Sequence, residues 1–278
     1  MANCTLCHQP AGFLHFQHRE CRAKHDTALA EIHSTIQHVI ASPESNIKGL
    51  NGKLSNQFAT SFVQPDEIKQ EVKRLWTQTV GKLQEEGHID NKAEQVLSEL
   101  PEEFSLTRAE LDAHDSYMRF VKLCALSDLM RGTIPKRCTI NGPLSVNLAK
   151  DEQLIWAFRN IAYLEEKTSV QYRGGTSGVS VRIMKGVYYR TSSFKGYPVA
   201  QTAKIPIDNG IFVVTDKNIY FAGQHKAFKI PYKKIVSFTP YSDGIGLIRD
   251  AASARPQIFV TGDGWFTYNL VINSAHLA

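Results

Sequence analysis

The sequence lacks the features of a membrane-spanning or exported chain. No apolar run approaches the roughly 20 residues that a membrane-spanning helix needs. The opening residues, Met1-Ala2-Asn3-Cys4, do not have the basic and then apolar stretches of a signal peptide. With 278 residues, of which 42% are hydrophobic and 21% charged, the composition excludes wholesale disorder and collagen-like repeats. We therefore expect a soluble cytoplasmic protein, large enough for two ordinary domains or for one domain with a small appendage.

The sequence also lacks recognisable catalytic motifs. It contains no nucleophile elbow, Walker loop, HExxH motif, paired carboxylates or Cys/His dyad. Its glycine-rich loop, residues 173–178, does not have the Gly-Lys-Ser/Thr ending of a phosphate-binding loop. We therefore predict no catalytic residues and a protein that is not an enzyme. An enzyme whose site is assembled from scattered residues is the alternative.

Acidic residues are scarce in the C-terminal half. From residue 167 onward there are 14 Lys and Arg but only five Asp, whereas the preceding 166 residues hold 18 basic and 22 acidic side chains. Such an asymmetry suggests an anionic partner, for which phospholipid and nucleic acid are the two candidates. Solubility alone, or docking of the basic half onto the acidic half, is the simpler explanation.

Cysteines are few, but they are concentrated near the N-terminus. Three of the five cysteines and six of the ten histidines lie before Pro43. The spacing Cys4-x2-Cys7-x10-His18-x2-Cys21 contains two pairs with a two-residue gap, which lets one backbone turn direct two side chains at one ion. The pattern predicts a structural Zn²⁺ site with these four residues as ligands.

His15 and His25 are alternatives for the third ligand. His18 is preferred because His18-x2-Cys21 repeats the spacing of the first pair. His25 lies four residues before Leu29, on the apolar stripe of the helix that follows, where a packed side chain is the other interpretation. Free cysteines in a reducing compartment are the alternative to a metal site. A catalytic zinc is disfavoured because four protein ligands leave no open coordination position.

The N-terminal segment resembles a small treble-clef or zinc-ribbon module. After the second ligand pair, apolar residues recur at helical spacing as far as Ile40. A knuckle, a short hairpin, a second ligand pair and a helix make up the resemblance, which covers about residues 1–40. A segment this small cannot bury enough apolar surface to fold unaided, so a metal would supply the missing free energy. We predict a zinc-binding module with a helix over residues 1–42.

Residues 43–140 are predicted to form a helical connector domain. Apolar periodicity and helix-start signals, including a Thr107/Glu110 capping box, indicate three helices. They cover residues 65–87, 90–101 and 107–129. The stretch EEGHIDNKAEQVLSELPEEFSLT resembles the loop-and-helix pattern of TerB-like helical domains, although Glu86-Gly87-His88-Ile89-Asp90 departs from that pattern. A metal role for Glu86 and Asp90 is the alternative to two acids at helix ends.

Residues 150–278 are predicted to form a PH-like antiparallel β-barrel closed by one helix. Six or more short segments rich in β-branched and aromatic residues alternate with Gly, Asn and Asp, and the chain ends in a helical pattern. Residues 210–223 (GIFVVTDKNIYFAG) and 228–235 (FKIPYKKI) resemble the GRAM and bacterial PH-like pattern. The sequence that follows is similar to the C-terminal part of the members of a family of bacterial proteins. The resemblance covers about residues 152–275. It implies a PH-like fold and a function in binding protein or lipid, but no catalytic residues.

A set of basic residues in this part is a candidate anion-binding surface. Pro231 predicts an edge strand, because proline cannot donate to a central ladder. Lysines on an edge strand have a simpler role, since they discourage edge-to-edge aggregation. The candidate anion-binding residues are Arg173, Arg182, Lys226, Lys229, Lys233 and Lys234.

The predicted fold class is therefore α+β multidomain, with a small zinc module, a helical middle segment and a C-terminal PH-like barrel. The function expected from these parts is that of a non-enzymatic adaptor, which joins a structural zinc module to a module that binds protein or lipid. A protein partner is preferred. A nucleic-acid-binding protein that uses the zinc module and the basic C-terminal surface is the alternative.

Overall fold

The chain combines a helical N-terminal part with a C-terminal sheet that is followed by a final helix, so the predicted fold class is confirmed. It divides into two compact units, Met1–Leu123 and Cys124–Ala278. The computed structural model describes residues 3–12, 15–42, 46–139, 145–166, 171–173, 178–184, 187–192, 197–199, 204–251 and 254–278. Within these ranges, no helix is both long enough and apolar enough to cross a membrane.

The first unit is built from helices. They are α1 (Arg19–Ala41), α2 (Leu50–Gln57), α3 (Pro65–Glu86), α4 (Asn91–Glu103), the single turn α5 (Arg108–Leu111) and the start of α6 (Ser116–Met130). Helix α1 packs against α3 and α4. The start of α3 is fixed by Glu67, whose Oε2 accepts a hydrogen bond of 2.8 Å from the backbone N–H of Gln64.

The core of the first unit lies where the apolar stripes of four helices meet. Ile32 and Ile36 of α1 and Val72 of α3 have no exposed surface. Leu54 of α2 and Leu100 of α4 belong to the same cluster. Burial of side chains of this size stabilises a fold by about 2 kcal/mol each. The cluster therefore ties α1 to the helices that follow it.

The predicted helix over residues 107–129 is interrupted. The capping box is present, since the backbone N–H of Thr107 donates to Glu110 Oε2 at 2.7 Å and the N–H of Glu110 donates to Thr107 Oγ1 at 3.3 Å. Helix α5 nevertheless ends after one turn, because His114 and Asp115 have φ angles of 57° and 60°. Two left-handed residues in succession break the helical hydrogen-bond ladder. The prediction of one continuous helix is therefore wrong.

The described part of the second unit contains the end of α6, eleven strands and a final helix. The strands are β1 (Leu154–Glu166), β2 (Gln171–Arg173), β3 (Gly178–Met184), β4 (Val187–Ser192), β5 (Tyr197–Val199), β6 (Lys204–Thr215), β7 (Asn218–Gly223), β8 (Ala227–Pro231), β9 (Ile235–Tyr241), β10 (Gly244–Arg249) and β11 (Gln257–Val260), and the helix is α7 (Gly264–Leu277). Seven strands form one antiparallel sheet in the order β8-β7-β6-β1-β11-β10-β9. Strands β2 and β5 form a second sheet, and β3 and β4 a third.

The seven-stranded sheet is not closed, so the predicted closure of the barrel is wrong. Its two outer strands, β8 and β9, follow each other in the chain and are joined by a short 3₁₀ turn, Tyr232–Lys234, but they do not pair with each other. Pro231 ends β8 without an N–H group to donate, and Pro240 has the same effect within β9. The position of β8 at an edge of the described sheet is as Pro231 predicts.

Helix α7 is held against the sheet at its N-terminus. Asp263 caps it, since Oδ1 accepts a hydrogen bond of 3.0 Å from the backbone N–H of Phe266. A Cβ atom at Gly264 would lie 1.8 Å from the carbonyl oxygen of Tyr241, so only glycine permits this approach. Phe266 then packs edge-to-face on Trp156 of β1, with 4.9 Å between ring centroids.

A buried carboxylate connects the start of β1 to the β6–β7 turn. The Glu152 carboxylate accepts hydrogen bonds from Asn218 Nδ2 at 2.7 Å, the Tyr220 hydroxyl at 2.6 Å and the Thr215 hydroxyl at 2.5 Å. The backbone N–H of Ala149 donates to it at 3.1 Å. Burial alone would raise the pKa of Glu152, but these hydrogen bonds outweigh it and hold the pKa below its usual value of 4.5.

We predict that Glu152→Gln destabilises the second unit by about 2–4 kcal/mol, because the new amide N–H would face groups that are themselves donors. Because the pKa of Glu152 is lower in the folded state, its contribution is present above about pH 4.5 and is lost as the pH falls through the folded value. Urea unfolding measured between pH 3 and 7 tests both statements. The neighbouring Asp151→Asn is the control, since Asp151 is exposed and pairs with Lys217 at the surface. Equal losses in the two variants would contradict the prediction.

Candidate metal centre

The first pair of predicted ligands lies in a tight turn. The backbone N–H of Cys4 donates to the carbonyl of Gln9 at 2.8 Å, and the N–H of His8 donates to the carbonyl of Cys4 at 2.9 Å. His8 has a φ of 60°, which reverses the chain directly after Cys7. These bonds hold the backbone between Cys4 and Cys7 in one turn, as the two-residue gap predicts.

The second pair lies at the start of α1. His18 is the residue before the helix and Cys21 lies in its first turn, so a spacing of three places both on one side of the helix. The backbone N–H of Thr5 donates to the carbonyl of Phe16 at 2.9 Å and brings the two pairs together. The N–H of His18 also points at Cys4 Sγ, 3.4 Å away.

The four side chains converge on one point. One ligand atom from each of Cys4, Cys7, His18 and Cys21 lies within 4.8 Å of the other three. His18 Nδ1 is 3.2 Å from Cys7 Sγ and 3.6 Å from Cys21 Sγ. Tetrahedral ligands about 2.1–2.3 Å from a metal lie about 3.5–3.8 Å apart. The 3.6 Å separation falls within this range, and the 3.2 Å separation lies just below it. The four residues are therefore close enough to bind a metal.

The ring of His18 is oriented for this role by a second contact. Its Nε2 is 3.0 Å from the carbonyl oxygen of Pro10, which can only accept a hydrogen bond. With the proton on Nε2, the lone pair of Nδ1 is directed at the three sulphur atoms. A hydrogen bond from the other ring nitrogen to a carbonyl is the usual support for a metal-bound histidine.

The thiols of the cluster differ in acidity. Burial would raise the pKa of Cys4, but hydrogen bonds from the backbone N–H groups of Cys7 and His18 lower it to about 6. Burial, together with the nearby Cys7 thiol, raises the pKa of Cys21 to about 11. The first thiolate to form therefore opposes ionisation of the neighbouring thiols. A cation at the centre would offset this repulsion and favour the ionised form of all three.

The two alternative histidines lie elsewhere. His15 is exposed and does not belong to the cluster. His25 Nε2 is 3.0 Å from Glu67 Oε1, so its side chain pairs α1 with α3.

Asp90, the acid with an alternative metal role, instead caps α4, since its Oδ1 accepts a hydrogen bond of 2.7 Å from the N–H of Ala93. Among the described residues, the Cys4 cluster is the one group of three or more His, Cys, Asp or Glu arranged to hold an ion.

The predicted basic residues fall into two sets. Lys226, Lys229, Lys233 and Lys234 are exposed on or beside β8, and Lys229 Nζ lies 6.0 Å from the centre of the Tyr220 ring. Their place at a sheet edge suits the protective role of edge lysines. Arg173 lies on β2 and Arg182 on β3, which are outside the seven-stranded sheet.

No protein-family model matches the chain, and comparisons with curated proteins and with solved structures likewise found no match. Sequence reasoning identified the four converging residues, since metal-ligand spacing is a local signal. It did not identify the Pro10 carbonyl as the partner of His18, because every residue has a backbone carbonyl and the residue type therefore does not show which one is used.

We predict that His18→Ala weakens metal binding at least tenfold, because it removes one of four ligands. His15→Ala is the matched control and should bind as the wild type does. Competition with a chromophoric chelator measures the affinity of all three proteins. Loss of affinity in His15→Ala, with full affinity kept in His18→Ala, would assign the ligand to the other histidine.

Proposed function

We propose that Cys4, Cys7, His18 and Cys21 bind one structural Zn²⁺ ion. Three sulphur atoms and one imidazole nitrogen are a donor set that structural zinc prefers, and all four atoms lie within 4.8 Å of one another. Four protein ligands leave no position for water or a substrate. The role of the ion is to fix the stretch from residue 3 to residue 21, in whose described part Cys4 is the one buried hydrophobic side chain.

The protein acts as a non-enzymatic adaptor, in which this zinc module and a PH/GRAM-like module bind different partners. The observation that carries this proposal is the closed four-ligand cluster in one compact unit, with a separate sheet and helix in the other. The segments that carry the GRAM-like pattern support it. Residues 210–223 form the end of β6, a two-residue turn and β7. Residues 228–235 form most of β8, the 3₁₀ turn and the first residue of β9.

We predict that protein purified without added metal carries close to one zinc per chain, and that Cys4→Ser/Cys7→Ser abolishes it. Cys138→Ser is the control, since this cysteine lies in the other unit. Elemental analysis distinguishes zinc from iron and other metals. A different metal at full occupancy, or full zinc content in the double variant, would contradict the proposal.

The adaptor role is tested in the full-length chain. Removal of residues 1–42 would delete the buried face of α1 from the core, so the Cys4→Ser/Cys7→Ser variant is the better probe. We expect cross-linking in a native extract to identify at least one protein partner that is lost in this variant and a different partner that is kept. Circular dichroism should first show that the variant retains its helices and strands. An identical partner set for both proteins, or no partner for the wild type, would contradict an adaptor.

A further inference from the structure

Two of the three cysteines in the cluster are partly exposed to solvent. These are Cys7 and Cys21, whereas Cys4 is fully buried. The sulphur atoms of Cys7 and Cys21 lie within 4.8 Å of each other, and both face Nδ1 of His18, at 3.2 and 3.6 Å. A cysteine reacts with an oxidant only where the oxidant reaches its sulphur, and a second sulphur close by converts the product to a disulfide. The cluster therefore contains an accessible pair of oxidisable sulphur atoms.

Cys4 is less available for this reaction. It has no exposed surface, and the backbone N–H of His18 lies 3.4 Å from its Sγ. The turn that carries Cys4 is also held by hydrogen bonds from its N–H to the carbonyl of Gln9 and from the N–H of His8 to its own carbonyl. The pair that an oxidant reaches first is therefore Cys7, which lies in this turn, and Cys21, which lies in the first turn of α1.

We propose that hydrogen peroxide oxidises Cys7 and Cys21 to a disulfide and thereby releases the metal ion. The inference rests on the proposed zinc site and adds a chemical regulation of it. One thiolate attacks the peroxide, breaks the O–O bond and becomes a sulfenic acid, with hydroxide as the leaving group. The second thiolate attacks that sulphur, forms the S–S bond and displaces a second hydroxide. The two sulphur atoms lose two electrons, the peroxide gains them, and both hydroxides take protons from solvent to become water.

The disulfide would leave the ion with two of its four ligands. Zinc is bound by the thiolate form of cysteine, which Cys7 and Cys21 lose when their sulphur atoms are joined. Cys4 and His18 then remain, and two ligands do not make up the closed four-ligand set of a structural zinc site. A dithiol reductant attacks the S–S bond and regenerates both thiols, so the site can be reloaded.

The packing of α1 confines the effect to the start of the helical unit. Ile32 and Ile36, further along α1, belong to the core cluster and do not depend on the ion. The described residues that precede Ala28 include one buried hydrophobic side chain, that of Cys4, so their order depends on the metal. A partner that recognises the ligand-bearing stretch would be released by peroxide while the helices stay folded. The zinc site would thus make the N-terminal contact of the adaptor sensitive to peroxide.

The test treats zinc-loaded full-length protein with a small molar excess of hydrogen peroxide in the presence of a chromophoric zinc chelator. We expect release of close to one zinc per chain, whereas an untreated sample keeps its zinc. Removal of the peroxide with catalase, followed by dithiothreitol and zinc, should restore the metal content. Circular dichroism recorded before and after oxidation should show the same helix content, because the core of α1 does not take part.

Tryptic digestion identifies the disulfide, because trypsin cuts between the two cysteines. Arg19 and Arg22 are the first two basic cleavage sites, so Cys7 lies in peptide 1–19 and Cys21 in peptide 20–22. A Cys7–Cys21 bond joins these peptides until they are reduced, and fragmentation shows that the bond starts at Cys7 and not at Cys4. A Cys4–Cys7 bond would instead lower the mass of peptide 1–19 by about 2 Da, and that result would overturn the assigned pair.

Two variants make the test specific. Cys21→His keeps four ligands in a Cys₂His₂ set, which also binds structural zinc, but removes one sulphur of the pair. It should release zinc about fivefold more slowly than the wild type. Cys138→Ser is the control, since it removes the partly exposed cysteine outside the cluster and should respond as the wild type does.

The proposal is overturned if the treated wild type keeps its zinc, if zinc leaves without joined peptides, or if Cys138→Ser no longer responds. It is also overturned if Cys21→His binds zinc and releases it as fast as the wild type. Wild-type protein that carries no zinc before treatment would contradict the proposed zinc site itself. Zinc that is present but resists peroxide would contradict the present inference alone, so the two failures are distinguishable.

Discussion

The convergence of three sulphur atoms and one imidazole nitrogen is the constraint on which the N-terminal end of the structure depends. Among the described residues, Cys4 is the only fully buried one before Ala28, so this stretch has almost no apolar core. Three thiols at such short separations cannot all ionise without a nearby cation. A bound divalent ion would replace that repulsion by metal–ligand bonds, and the order of the stretch would then depend on the ion.

The same ligands set where α1 begins, but other forces hold the rest of that helix. His18 and Cys21 lie at its start, whereas Ile32 and Ile36 are buried against α3 and α4 about three to five turns later. His33 Nδ1 is also 2.5 Å from Glu71 Oε1 on α3. The first turns of α1 and its middle thus belong to regions of different stability. Metal loss should loosen the ligand-bearing stretch while the helical core stays folded.

How much of this structure could be predicted depended on whether the signal was local. Ligand spacing identified the Cys4 cluster, the Thr107/Glu110 pair identified a helix start, and Pro231 identified an edge strand. The left-handed pair at His114 and Asp115 escaped prediction, because neither residue type demands that conformation. The side-chain partners of Glu152 are more than 60 residues away along the chain, so no local pattern could reveal them. The prediction of a closed barrel was wrong for a related reason, since closure depends on whether the two outer strands of the sheet pair with each other.

Two independent interactions select the same register in the second unit. Core burial fixes how β1 pairs with β6, where Phe158 lies opposite Phe212 and both are buried. The Glu152 carboxylate fixes the start of β1 against the β6–β7 turn. Because side chains alternate between the faces of a sheet, a slip of one residue would place one of the two phenylalanines on the opposite face and would also part Glu152 from its donors. The apolar core and the buried carboxylate therefore reinforce each other in holding β1 against β6.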